Sequence, residues 1–404
     1  MIKVLPLDRI RTAVDRFVAW FDRYGETSHD WQDFFAGPVG RRAKALYYRQ
    51  PALGTVAVAP MIFCEAFVPA ARRLFWKRQR FPIADAHYAI GFAYLFQNSG
   101  DEAHYRRAVH FLEVLEATRC PGYERHAWGY PFDWVTRTGT IPAGTPLVTT
   151  VGYPYEAFRH VYRIDKDDRW RHVMRSIAQH ALLDYRDRET SPGAATCAYT
   201  PRPDDPAGVV NASAYRAALL AKAAFDFAEP EYGRAAERNL RFVLEAQNPD
   251  GSWHYATDNV RDFIDHFHTC FVLKALAAIE TITGDPRCTE AIERGVRYYV
   301  QNLFDSDGLP KPFSRAPRLT LYRRELYDYA ECVNLATLLR GRFRELDGRG
   351  LTVVNDLLGR WQTRAGAFRS RQLIVGWDNV PMHRWAQAQL FGSFCFVLHR
   401  SMEA

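Results

Sequence analysis

The chain has 404 residues, 48% hydrophobic and 25% charged, a globular balance that excludes a chain dominated by disorder. Its formal charge of +7 rests on arginines scattered through nearly every predicted helix. That distribution argues against nucleic acid as a partner and is compatible with an anionic glycan, whose carboxylates or phosphates match guanidinium forks. Seven cysteines lie far apart without a CxxC pair, which predicts reduced, buried thiols and a cytoplasmic location.

The first 25 residues, MIKVLPLDRIRTAVDRFVAWFDRYG, carry Asp8, Arg9, Arg11, Asp15 and Arg16 inside every apolar run. They read as an amphipathic helix, neither a signal peptide nor a membrane span. Residues 1–50 are expected to form an N-terminal helical cap over one end of the fold. Six apolar helical segments follow, each opened by polar or aromatic residues and marked in turn by His87, Tyr153, Ser213, His268, Tyr329 and Trp385. Successive marks are 66, 60, 55, 61 and 56 residues apart, room for two helices and their loops. More charged amphipathic segments alternate with them, such as DEAHYRRAVHFLEVLEAT and GRAAERNLRFVLEAQ. The pattern predicts an all-α (α/α)6 toroid, six helical hairpins around one axis, with residues 1–404 forming a single domain.

If the six inner helices run in the same direction, their amino-terminal ends share one rim. That rim gathers Asp85, His87, Tyr153, Tyr155, Asn211, Tyr215, Asp265, His266, His268, Tyr327, Asp328, Glu331, His383 and Arg384. His266 and His268 are two apart, so a helix sends them to different faces and only one enters the pocket. The loop ERHAWGYPFDWVTR adds His126, Trp128, Tyr130, Asp133, Trp134 and Arg137, and GAFRSRQLIVGWDNVP adds Trp377 and Asp378. Two mechanisms fit these residues. Asp133 as general acid with Asp265 or Asp328 opposite would hydrolyse a glycosidic bond. Alternatively, His268, His126 or Tyr155 would take the proton beside a uronate carboxylate held by Arg137 or Arg384, giving an epimerase or lyase. No metal-ligand spacing and no nucleotide-binding fingerprint is visible, so neither metal nor cofactor is expected.

The segment LEAQNPDGSWHY resembles the QW motif of squalene-hopene and related terpene cyclases, which ties helices together at a turn. Those cyclases also need a DxDD acid motif, and the nearest text here is DFID at Asp262 to Asp265. HAWGYPFDWVTRTGTIPAGTPLVTTVGYPYEAF, NPDGSWHY and IDHFHTCFVL resemble segments of bacterial exopolysaccharide-biosynthesis proteins of the VpsJ-like type, which are similar to six-hairpin glycosidase folds. The resemblance implies a surface-glycan context without assigning a reaction. The expectation is an enzyme acting on a polysaccharide or oligosaccharide, with hydrolysis ahead of uronate epimerisation or elimination. A non-catalytic glycan-binding or assembly factor is the alternative.

Overall fold

The structure is a computed structural model and describes residues 5–402; the ends of the expected 1–404 domain and of the 1–50 cap, residues 1–4 and 403–404, lie outside the described residues. Six helices form a closed inner ring: Pro82–Ser99, Val148–Asp165, Val210–Phe227, His266–Thr283, Leu326–Leu338 and Ala388–Arg400. Each packs on the next, and the last packs back on the first. The chain is therefore an (α/α)6 toroid.

Burial explains which segments stand inside. Val210–Phe227 buries 13 of its 18 residues, many of them alanine, because it has neighbours on every side. The following helix, Pro230–Glu245, buries only 6 of 16, on one stripe facing inward. The outer helices Glu102–Ala117, Asp168–Leu183 and Pro286–Asn302 each start at an aspartate whose side chain accepts from the N–H two residues on (Asp101, Asp167 and Asp285). Arg344–Asp356 is the outer helix that follows Leu326–Leu338.

The turn after an outer helix repeats, and it identifies the sixth outer helix. Gln247 Nε2 donates to Gly251 O (3.0 Å) and to Ala291 O of the next outer helix (2.9 Å). Gln362 Nε2 does the same to Gly366 O (3.0 Å) and Ala13 O (2.8 Å). A Cβ on Gly251 would meet Arg294 O at 2.4 Å, and one on Gly366 would meet Arg16 O at 2.3 Å. Leu7–Tyr24 therefore occupies the position that Pro286–Asn302 occupies two repeats earlier, and it also packs on Ala388–Arg400. This corrects one part of the expected cap: the first helix is a stave of the outer wall. The helices that lie at the end of the ring are Pro38–Arg49 and Pro51–Phe67, whose Tyr47, Tyr48, Pro51 and Glu65 reach the central cavity.

Short antiparallel ribbons fill the connections at that end. Trp134–Thr136 pairs with Gly139–Ile141, and Ile264–Asp265 with Phe313–Arg315. Tyr322–Glu325, Arg371–Leu373 and Trp377–Asp378 form a three-stranded sheet in that order, with Glu325 opposite Arg371. These pairings hold the residues just before the inner helices against the rim.

Candidate active site

The ring encloses a cavity of about 750 Å³ at the amino-terminal ends of the inner helices. All six contribute: Ile83 from the first, Tyr153 from the second, Asn211 and Tyr215 from the third, and His268 and Phe271 from the fourth. Tyr327 comes from the fifth and Trp385 from the turn leading into the sixth. One element start per hairpin thus converges on one volume.

Asp265 is the N-cap of the fourth inner helix. Its Oδ1 accepts from the His268 backbone N–H (3.0 Å), and its Oδ2 accepts from His268 Nδ1 (2.6 Å). The carboxylate is buried, whereas the imidazole side chain keeps 22% of its surface exposed. Holding Nδ1 as the donor fixes the tautomer and leaves Nε2 as the basic nitrogen on the cavity wall. Phe267 and Tyr255 flank the ring, with centroids at 4.4 and 4.7 Å.

Every other carboxylate on the wall is committed. Glu325 accepts from Arg371 Nε (2.7 Å) and Trp385 Nε1 (2.5 Å), and Arg371 also holds Glu65 (2.5 Å). Asp262 is paired with Arg315. Asp205 accepts from the backbone N–H groups of Tyr199, Thr200 and Ala207, closing its own turn. No two wall carboxylates stand free to act as a hydrolytic pair.

The donors are phenols and guanidinium groups. Tyr153 and Tyr215 hydroxyls are hydrogen-bonded to each other, and burial holds Tyr153, Tyr215 and Tyr327 well above the ordinary phenol range. They are proton donors at neutral pH. Arg384 makes a two-pronged pair with buried Asp30 (2.9 and 2.6 Å) and lies over the Tyr130 ring. Arg137 and Arg318 also line the cavity, and neither makes an ion pair or side-chain hydrogen bond among the described residues.

Of the residues expected at the site, the structure brings together Tyr130, Trp134, Arg137, Tyr153, Asn211, Tyr215, Asp265, His268, Tyr327 and Arg384. The rest are turned elsewhere. Asp133 is bound by Arg41 and accepts from Ala143 N (2.9 Å), so its carboxylate holds the loop together. His126 pairs with Ser176 Oγ (2.9 Å), and Trp128 is fully buried with its indole donating to Leu115 O (2.9 Å), as Trp253 does to Val243 O two hairpins later. Tyr155 donates to Asp226 (2.8 Å), on the helix flank away from the cavity. Asp85 is buried against Arg80, and burial pushes its carboxyl up to about 8. His87 is half-buried beside Tyr153, and His266 donates to Leu303 O (3.0 Å) and accepts from Tyr299. One residue is a 100° rotation on a helix, so His266 faces the core while the N-cap Asp265 meets His268 at the cavity.

His383 is a core residue too, donating to Gly25 O and accepting from Tyr88. Glu331 is buried against Lys274 (2.5 Å). Trp377 packs on Trp361, and Asp378 is buried with Arg72 (2.5 Å). Asp328 lies below the wall with both oxygens unpaired. Burial and the nearby Glu325 and Asp265 push it well above the carboxylate range, so it carries the proton. Glu325, Arg371, Trp385 and Tyr255 were not expected at the site. Glu325 had a signal: it precedes the fifth inner helix as Asp265 precedes the fourth, sixty residues earlier.

Comparison with solved structures shows the same fold at low sequence identity. A cellobiose 2-epimerase from Bacillus thermoamylovorans B4167 superposes with a TM-score of 0.63 at 12% identity, covering 80% of this chain and 88% of that one. A GH76A α-1,6-mannanase from Salegentibacter sp. HEL1_6 gives 0.58 at 12% identity, covering 81% and 91%. A polysaccharide lyase gives 0.54 at 11% identity, covering 79% and 89%. No protein-family profile matches the sequence, and no curated protein does.

Proposed function

We propose that this chain is a carbohydrate-active enzyme that removes a proton from a sugar carbon next to a carbonyl or carboxyl group, as an epimerase or lyase does. The observation that carries the reading is the Asp265–His268 pair on the wall of an aromatic cavity whose other carboxylates are all engaged. His268 Nε2 takes the proton as general base, and Asp265 stabilises the imidazolium that results. The hydroxyls of Tyr153, Tyr215 and Tyr327 supply hydrogen bonds to the enediolate oxygen as charge develops there. In epimerisation a tyrosine hydroxyl returns a proton to the opposite face; in elimination the negative charge instead expels the substituent on the next carbon. Trp134, Tyr130 and Trp385 offer apolar faces to sugar rings.

Hydrolysis ranks below this reading because its expected acid, Asp133, is tied to Arg41. The fold is shared by an epimerase, a lyase and a mannanase, so it supports a glycan substrate without choosing among them. Unpaired Arg137 and Arg318 on the wall favour a substrate bearing carboxylate or phosphate. The test is incubation in D2O with neutral reducing and uronic oligosaccharides, read by NMR and mass spectrometry. Deuterium at a carbon beside a carbonyl or carboxyl supports the reading, as does an unsaturated product. Cleavage with gain of water and no carbon-bound deuterium would replace it with hydrolysis.

A further inference from the structure

Although arginines are scattered along the whole chain, the excess of cations over acids lies in one segment. Residues 38–80 hold nine Lys and Arg and a single acid, Glu65, a net of +8; the remainder of the chain sums to −1. Some of these cations are used internally: Arg41, Arg72 and Arg80 are ion-paired, and Arg78 donates to backbone carbonyls. Arg42, Arg49, Arg73 and Lys77 are exposed, without an ion pair or side-chain hydrogen bond among the described residues.

Among the described residues, the same segment carries the largest group of exposed apolar side chains. Along Pro51–Phe67, Leu53, Val56, Phe63 and Phe67 are between 52% and 73% exposed, at helical spacings that put them on one stripe together with exposed Pro60. Val39 on the neighbouring helix and Leu74 on Arg72–Phe75 extend the patch, Leu74 being 89% exposed. Among the described residues, no single helix is long and apolar enough to cross a membrane. Pro51–Phe67 and the stretch Pro69–Phe75 together have the length and apolarity for it, but they are bent by 116° to each other. An apolar stripe bent out of a spanning geometry and bordered by unpaired Arg and Lys fits the plane of a lipid interface.

We infer that the helical element Pro38–Phe75 seats this protein on an anionic lipid surface. The apolar stripe enters the boundary between headgroups and acyl chains, and Arg42, Arg49, Arg73 and Lys77 meet lipid phosphates around it. A second copy of the chain is the less suitable occupant, because a symmetric interface sets the exposed unpaired cations Arg42, Arg49, Arg73 and Lys77 against their own copies. Tyr47, Tyr48 and Pro51 of the same element line the cavity, so docking holds the cavity beside the membrane.

The test is co-sedimentation of the full chain with vesicles of phosphatidylcholine alone and of phosphatidylcholine mixed with phosphatidylglycerol. Binding to the mixed vesicles only, weakened by salt, is expected. Reversing all four cations (R42E, R49E, R73E, K77E) should reduce the partition coefficient by at least several-hundred-fold, about fivefold for each cation removed. A second variant, Leu53→Ser with Phe63→Ser and Phe67→Ser, should bind weakly while keeping the charge. The substituted side chains are exposed, so both variants should melt as the parent does. No binding to either vesicle, equal binding to both, or undiminished binding by either variant would overturn the inference. So would a dimer by light scattering that becomes a monomer in the apolar variant, which would assign the face to a second copy.

Discussion

Replacing Asp265 with asparagine separates the two jobs this residue performs. As N-cap it accepts from the His268 backbone N–H at 3.0 Å, and asparagine caps a helix about as well as aspartate, so the fold should keep its stability to within about 1 kcal/mol. As partner of the imidazole it accepts from Nδ1 at 2.6 Å with a full negative charge. An amide removes that charge, and if its NH2 faces the ring it moves the imidazole proton to Nε2, the nitrogen that must be basic. A positioned general base contributes roughly 10²- to 10⁴-fold, about 3–5 kcal/mol of barrier, and Asp265→Asn should forfeit most of it. The assay is the rate of deuterium incorporation from D2O into a responsive oligosaccharide, beside a calorimetric melt of the same sample. Asp265→Ala should lose the same rate and, in addition, about 1 kcal/mol of stability for the missing cap. An Asp265→Asn protein with the parent's melt and the parent's exchange rate would refute the assignment of His268 as base.

Gly366→Ala should cost roughly 2–4 kcal/mol in urea unfolding, since its φ is 111° and the new Cβ would meet Arg16 O at 2.3 Å. Gly348→Ala, in the middle of an outer helix with open space around it, should instead be neutral or stabilising. Burial lowers His87, His266 and His383 from 6.5 to about 3. The unfolded chain therefore takes up protons that the native state refuses as pH falls from 6.5 towards 3, and stability is lost over that window. Each site should account for about 2 kcal/mol by pH 5, and a melting temperature flat from pH 7 to pH 5 would contradict their neutral burial. Asp328 carries its proton in the folded state, so Asp328→Asn should leave the melt at neutral pH unchanged or raise it; a large loss there would show a working carboxylate.

The ring of six hairpins was legible in the sequence because its cause is local. Apolar inner segments recur at intervals of 55 to 66 residues, and amphipathic segments alternate with them. That periodicity dictates which face of each helix must be buried. Asp265 and His268 were each legible as rim residues, because both stand at the start of an inner helix; that the first caps the helix and holds the imidazole of the second emerged from the structure. The Gln247 turn was visible as a motif, but its counterpart at Gln362 was not, so the role of Leu7–Tyr24 as the sixth outer helix emerged only when the chain closed on itself. The loop His126–Arg137 shows the other limit. Its composition suggested a ligand-binding strip, yet residues distant in sequence decided each side chain: Arg41 took Asp133, Ser176 took His126 and Leu115 took Trp128. The same holds for Glu325, which became part of the cavity through Arg371 and Trp385, 46 and 60 residues away. The sequence by itself determined which residues are helical and which helix ends are polar. Only the tertiary structure decided which polar groups neutralise one another and which face the cavity, because ion pairs and hydrogen bonds between distant segments depend on where the closed ring places them.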